Sequence, residues 1–476
     1  MAAQYILARL AADEMAEIAE GKWIFGIPDG MPWTRIVKCH PPEQCGSADF
    51  VIGPTSADAP YNPIDYLSRY ASAGCAAVML DRVPAGLTAG LPVLQVPRIR
   101  RALFRLARRA RKDIEGRIVA VTGSSGKTTT KDMLAFLLSR QGTTIASPGT
   151  GNSLMAICYQ LINAPLGGNH YVFESGLGQG GSGIADQSSL LRPHVAIVTA
   201  VHPAHAAGYE SVEDIVRSKM DICRHLQPEG QLLIDRDSEH YALMLSLADH
   251  NGVKQVRTFG FHPEADIRVA HVAMDEGGTS AQIMLGDTTR SVRLRMHGEH
   301  WAKIGAAALG ASLILGLDID RAANDLADFQ MPSGRGQVYP LPFNNGELLI
   351  FDSHYNANPG SMAADLDAFA VMAAQRGQRC IGVIGAMREL GDLTESAHRE
   401  LASRLAGLSF SHIFLIGEET RVMSHILPSP GTQFFEKLDA ALPVLTSHLK
   451  AGDFVFIKGS HSNRLDLLVK HLRSLR

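Results

Sequence analysis

The chain has 476 residues, 46% of them apolar, and a net charge of −3. That length suggests roughly two to four domains, each large enough to bury a core. So small a net charge argues against nucleic acid or an anionic membrane as the main partner, and the most apolar segment, residues 306–317, is too short to span a bilayer.

The N-terminus lacks the basic region and apolar core of a signal peptide, so a cytoplasmic protein is expected. Residues 1–115 read as a first, N-terminal substrate-binding α/β domain. Helical periodicity runs over 2–20. Short strands are predicted at 23–26, 50–54, 75–80 and 92–96, with a helix at 66–73. A helix over 99–112 carries Arg100, Arg101, Arg105, Arg108, Arg109 and Arg111. Such a run reads either as a solvated face or as an electrostatic contribution near an anionic substrate. The six cysteines, at 39, 45, 75, 158, 223 and 380, show no disulfide or zinc spacing. Cys39-His40 with Cys45 comes closest to a metal cluster and lacks a fourth ligand.

From 116 to 328 strands and helices alternate, which predicts a parallel sheet wrapped by helices. Its first strand, 118–121, runs into Gly123-Ser124-Ser125-Gly126-Lys127-Thr128-Thr129, and a helix follows. Strand, glycine turn, Lys-Thr and helix make a phosphate cradle: backbone N–H groups close on phosphate oxygens and the helix N-terminus favours negative charge. Lys127 can reach the outer phosphates, and the Thr128 hydroxyl can sit on Mg²⁺. Further strands are expected at 171–173, 195–201 and 231–234. Glu174 follows one of them, at the sheet edge where ligands bind; the alternative is an ordinary loop acid. His202 and His205 follow the next strand. Together with Thr128 and Glu174 they suggest a Mg²⁺ cluster, although imidazole is an unusual ligand for a hard cation.

Ser211 to Asp214 looks like a capping box opening a helix. Lys219 falls within that helix's apolar stripe of Val212, Ile215, Val216 and Cys223. A lysine there either snorkels or has a lowered pKa and a task. A neutral amine can take up CO₂ and become a carbamate, which would bind a metal as an extra carboxylate. Short alternating segments over 266–296, broken by Gly277-Gly278 and Gly286-Asp287, predict an antiparallel appendage. A helix over 302–315 closes the domain.

Residues 329–476 begin with Pro332-Ser-Gly-Arg-Gly336, read as a linker. Strands at 348–351, 380–384, 412–416 and 453–457 with helices between them predict a third, Rossmann-like domain. The fold class is α/β with three domains: 1–115, a central P-loop domain over 116–328, and a C-terminal Rossmann-like domain over 329–476. Nucleotide is expected where the second and third domains face each other.

The short loop Gly-x-x-Gly-Lys-Thr-Thr resembles that of the Mur ligases and their folylpolyglutamate synthetase relatives. The stretch 351–362, Phe-Asp-Ser-His-Tyr-Asn-Ala-Asn-Pro-Gly-Ser-Met, resembles that family's Asp-Asp-Ser-Tyr-Asn-Ala-Asn-Pro motif. Gly385-Ala-Met-Arg-Glu389-Leu390-Gly391 with Ala397-His398-Arg399, and Lys458-Gly-Ser-His461-Ser-Asn-Arg464, match signatures of its D-alanyl-D-alanine-adding branch. The resemblance implies that Gly123 to Thr129 hold ATP and that Thr128, Glu174 and His205 hold Mg²⁺. It also implies a carbamylated Lys219, an Arg335 that reaches the γ-phosphate, and an Asp352 at the nucleotide.

Departures are equally specific. The family's Gly-x-His-Asn-x-x-Asn appears as Gly298-Glu-His300-Trp301-Ala-Lys-Ile304, so Trp301 is expected to stack on the base in place of an asparagine. The second aspartate of the C-terminal motif is Ser353, and Ala386 replaces another. The Ser-Thr-Asp-Ser-Arg and Asp-Gly-His stretches of the first domain are absent. The resemblance implies ATP-dependent amide-bond formation through an acyl phosphate, with Lys127, Glu174, His205 and Lys219 carrying the chemistry. The partners expected are a small-molecule carboxylate and an amino acid or dipeptide, with no nucleic acid and no membrane insertion. The alternatives are the same chemistry on a non-peptidoglycan pair, and a nucleotide-binding scaffold without ligase activity.

Overall fold

The computed structural model describes residues 10–28, 33, 35–38, 42–46, 48–53, 62–177, 183–202, 209 and 211–475. Its strands form three sheets in a mixed α/β fold. The chain divides into two compact units, one of Met1–Val121, Gln141–Ala196 and Asp221–Gly230, the other of Thr122–Arg140, Ile197–Met220 and Gln231–Arg476. No helix among the described residues is long and apolar enough to cross a membrane.

In the first unit a five-stranded sheet runs in the order Lys22–Ile24, Val93–Gln95, Ala77–Leu80, Asp49–Ile52, Arg35–Lys38. Only the first pair is antiparallel. Ala77–Leu80 and Asp49–Ile52 are buried at every residue, as parallel strands covered on both faces must be. The strand expected over 23–26 stops at Ile24, because Phe25 and Gly26 turn to positive φ. Of the helix expected over 2–20, Ala12–Ala19 forms, while Leu10 and Ala11 before it are not helical and Glu20 ends it in a left-handed turn.

Ile99–Lys112 forms as the periodicity predicts and buries Ile99, Ala102, Leu103, Leu106, Ala107 and Ala110 on one face. Of its arginines, Arg105 pairs with Glu20 and Arg109 with Glu14 and Asp113. Arg111 donates to the Leu191 carbonyl at 2.6 Å, and burial, then Arg192, pushes it down to about 10. Strand Arg117–Thr122 lies parallel to His170–Glu174, with Val121 opposite Glu174. Thr144–Ala146, not anticipated from the sequence, adds in parallel to the far side of His170–Glu174.

In the second unit Gln231–Asp235 and Gln255–Gly260 pair in parallel. The predicted appendage follows as an antiparallel meander of Ile267–Asp275, Gly278–Leu285 and Thr288–Leu294. Helix Glu299–Ile314 packs on it, with Gly305 against Leu294 and Gly310 against Ile267, glycines that allow a close approach. The C-terminal sheet runs Gln337–Phe343, Gly346–Ser353, Phe454–Lys458, Cys380–Gly385, Phe410–Ile416, Thr432–Phe435, parallel except for the first hairpin. Phe351, Phe369 and Phe456 fill one face; Ile350, Val383, Val455 and Leu468 fill the other. Helix Pro359–Arg376 begins in a capping box between Asn358 and Ser361, with proline at its first turn.

Candidate active site

The turn after Arg117–Thr122 is built around a glycine that no other residue can replace. Gly123 has φ +149, and a Cβ on it would lie 1.9 Å from Thr199 Oγ1. That hydroxyl donates to the Ser125 carbonyl at 2.7 Å and to the Thr122 carbonyl at 3.0 Å. The Ser124 and Ser125 amides both reach the Ala200 carbonyl, at 2.8 and 3.4 Å. The loop is thereby pinned to the segment after Val195–Val198, which explains why that strand ends short of residue 201. Lys127 curls back and donates to the Gly123 and Ser124 carbonyls at 2.8 and 3.1 Å. The helix Lys127–Ser139 then starts, with Thr130 N on the Gly126 carbonyl. Its first-turn amides are those that a helix leaves for an external acceptor.

Glu174 ends its strand and is 1% exposed. One carboxylate oxygen accepts Asn152 Nδ2 at 2.8 Å. It pairs in register with Val121, from which the chain passes through Thr122 into the glycine loop. Lys219 is 2% exposed, among Ile215, Val216 and Met220 of helix Val212–Met220. That burial rules out the snorkelling alternative, which needs the ammonium in water. His205, Cys39 and His40 lie outside the described residues. His202 is described: its carbonyl accepts the Ser124 hydroxyl at 2.8 Å. Its ring lies against Gly360, where a Cβ would approach within 2.6 Å. Burial, with Lys303 nearby, drives His202 down to about 4, so it is neutral at pH 7.

The second unit also brings Trp301, Arg335 and Asp352 around one turn. Gly334 and Gly336 flank Arg335, both at positive φ. A Cβ on Gly334 would meet the His354 ring at 2.7 Å, and one on Gly336 the Trp301 ring at 3.4 Å. Gly336 N donates to the Asp352 carbonyl and Tyr355 N to the Gly334 carbonyl, which ties the turn to the end of strand Gly346–Ser353. Arg335 lies over the Tyr355 ring at 4.1 Å. Trp301 is 3% exposed, with no partner for its indole N–H among the described residues. Its ring lies against this turn. Asp352 is fully buried and accepts Tyr339 Oη at 3.0 Å and His354 Nδ1. Burial, then Asp352, pushes the Tyr339 hydroxyl up to about 12.

Two charge networks, the first buried and the second partly so, escaped the sequence reading. Lys458 Nζ lies 2.8 Å from Asp365 Oδ2 and donates to Ser353 Oγ and the Asn356 carbonyl, each at 3.1 Å. Burial alone would raise Asp365; Lys458 and His300 outweigh it and hold the carboxyl low. Lys303 bridges Asp235 and Asp237, 2.8 Å from each. The first could have been suspected, because Ser353 stands where the family motif has an acid and Lys458 needs a counter-charge. The second joins residues about 68 positions apart with no motif, so only folding reveals it. His398 of the signature 397–399 accepts the Met387 amide at 3.1 Å and so shapes the loop after Cys380–Gly385.

Residues 121–312 match the Mur ligase middle domain and residues 334–461 the Mur ligase, glutamate ligase domain. The UDP-N-acetylmuramoyl-tripeptide–D-alanyl-D-alanine ligase of Escherichia coli is 28% identical over 86% of this chain and 88% of its own length. That of Rickettsia prowazekii is 25% identical over 78% of this chain and 81% of its own. A crystal structure of MurF from Acinetobacter baumannii superposes with a TM-score of 0.84 at 25% identity, covering 98% of both chains. The three-domain architecture, the loop at Gly123 and the two matched domains place this chain in the Mur ligase family, as an ATP-dependent, ADP-forming amide ligase.

Proposed function

We propose that the chain joins UDP-N-acetylmuramoyl-tripeptide to D-alanyl-D-alanine, the pair for which its relatives are named, in the cytoplasm. The extent of the likeness carries this reading: it covers 98% of the chain in structure, including the first domain, whose sequence is unfamiliar. The Lys127 ammonium and the first-turn amides of Lys127–Ser139 bind the phosphate oxygens of ATP, with Ser124, Ser125 and Thr129 completing the loop. Arg335 meets the γ-phosphoryl group, and Trp301 and Asp352 act through the turn that carries it. The proposed metal ligands are Thr128, Glu174, His205 and Lys219. Hydroxyl and carboxylate oxygens suit a hard divalent cation, and a Lys219 carbamate would add a second carboxylate. Bound there, Mg²⁺ would neutralise charge on the phosphates.

A substrate carboxylate oxygen attacks the γ-phosphorus, the bond to the β–γ bridging oxygen breaks, and ADP leaves. The amine nitrogen attacks the acyl carbon, gives up a proton, and inorganic phosphate departs as the amide forms. No protein nucleophile is required. Phosphate release with UDP-muramoyl-tripeptide, D-alanyl-D-alanine and ATP tests the assignment. No release, where another acid and amine react, would leave the chemistry and discard this pair; the missing first-domain stretches favour that second reading.

A further inference from the structure

We propose that His354, oriented by Asp352, is a second phosphate-recognition residue beside Arg335. The inference rests on the reading above that the Arg335 turn faces the phosphates of ATP. Asp352 cannot itself meet a ligand: it is fully buried and both its oxygens are engaged, by Tyr339 and His354. The Nδ1 of His354 is held by the carboxylate, and its Nε2 has no hydrogen-bond partner among the described residues. The ring lies against Gly334, next to a guanidinium that has an aromatic neighbour but no carboxylate among the described residues.

A carboxylate behind an imidazole fixes which nitrogen points outward. Behind Asp352 stand Tyr339 and then Arg473, which donates to Tyr339 Oη at 3.2 Å. The other charged or titratable groups around the turn are Arg335, the Tyr355 beneath it, His461 across the Tyr355 ring at 5.9 Å, and Asp365 beside Gly336 with its partners Lys458 and His300. With Nδ1 held by Asp352, Nε2 is the ring nitrogen left to meet a ligand, and a proton on it would add a cation and a directed N–H to the corner that Arg335 occupies. Phosphoryl oxygens suit this pair of donors.

The test measures ATP and adenosine binding to the full chain at pH 6 and pH 8. His354→Gln should weaken ATP about tenfold at pH 6, a loss of about 1.4 kcal/mol, and less at pH 8, with adenosine unchanged. In the unaltered protein, NMR titration of His354 should show its pKa rising when ATP binds, because linkage is reciprocal; this readout needs no variant to fold. Arg335→Ala separates the two readings. If it loses ATP while His354→Gln does not and the His354 pKa is unmoved, the inference fails and the Arg335 reading stands. If neither variant loses ATP, both fail. An equal loss of adenosine in His354→Gln would also overturn the proposal.

Discussion

Asp365 and Lys458 form a buried ion pair 2.8 Å apart that joins helix Pro359–Arg376 to strand Phe454–Lys458, with the Ser353 hydroxyl donating to the same carboxylate oxygen at 2.6 Å. Removing one partner strands a charge in a low-dielectric site. Asp365→Asn should cost about 3–5 kcal/mol in urea unfolding, whereas Asp365→Leu with Lys458→Met should recover much of that. The carboxyl is held low in the fold, so its contribution is present above the unfolded pKa, about 3.9, and is lost as pH falls through the lower folded value. Equal stability of wild type and Asp365→Asn at pH 7 would contradict this.

Trp301 separates packing from hydrogen bonding. Trp301→Ala should destabilise by about 3–5 kcal/mol, through the cavity it leaves. Trp301→Phe retains most of the packing and removes a buried N–H without a partner, so its stability should stay within about 1 kcal/mol of wild type. Thermal unfolding of both variants checks the contrast.

Gly123→Ala would force a Cβ onto Thr199 Oγ1 at a φ that L-residues rarely adopt. ATP affinity should fall at least about tenfold, because the loop cannot keep its hydrogen bonds to Ala200 and Thr199. Calorimetric titration with ATP measures it, and an unchanged affinity would show that this turn does not hold the nucleotide.

Lys219→Ala should abolish amide formation while leaving ATP binding detectable, and added bicarbonate or short-chain acids should partly restore turnover. Full activity in the variant would remove the carbamate from the proposed chemistry.

His202 is pushed down to about 4 by burial and then Lys303. The unfolded chain therefore binds a proton between about pH 6.5 and 4 that the folded chain refuses, and stability falls as pH drops through that window. The contribution is about 3 kcal/mol. Urea unfolding of His202→Gln across the window should lack that part of the slope.

Local sequence alone determined the strand, glycine turn and helix at 118–139, the amphipathic helix Ile99–Lys112, the three-strand appendage, and an apolar stripe containing Lys219. Each is specified by residues close along the chain: periodicity of burial, or glycines at turns. The family resemblance also marked Arg335 and Asp352, and its place just past a strand marked Glu174. Tertiary structure alone decided what these groups touch. Asp352 faces inward to Tyr339 and His354, Trp301 lies against the Gly336 turn, and Lys458 takes Asp365 as its counter-ion. Those outcomes depend on which distant side chains share a desolvated space. A buried charge or donor must find its partner there, and no short-range pattern encodes that choice.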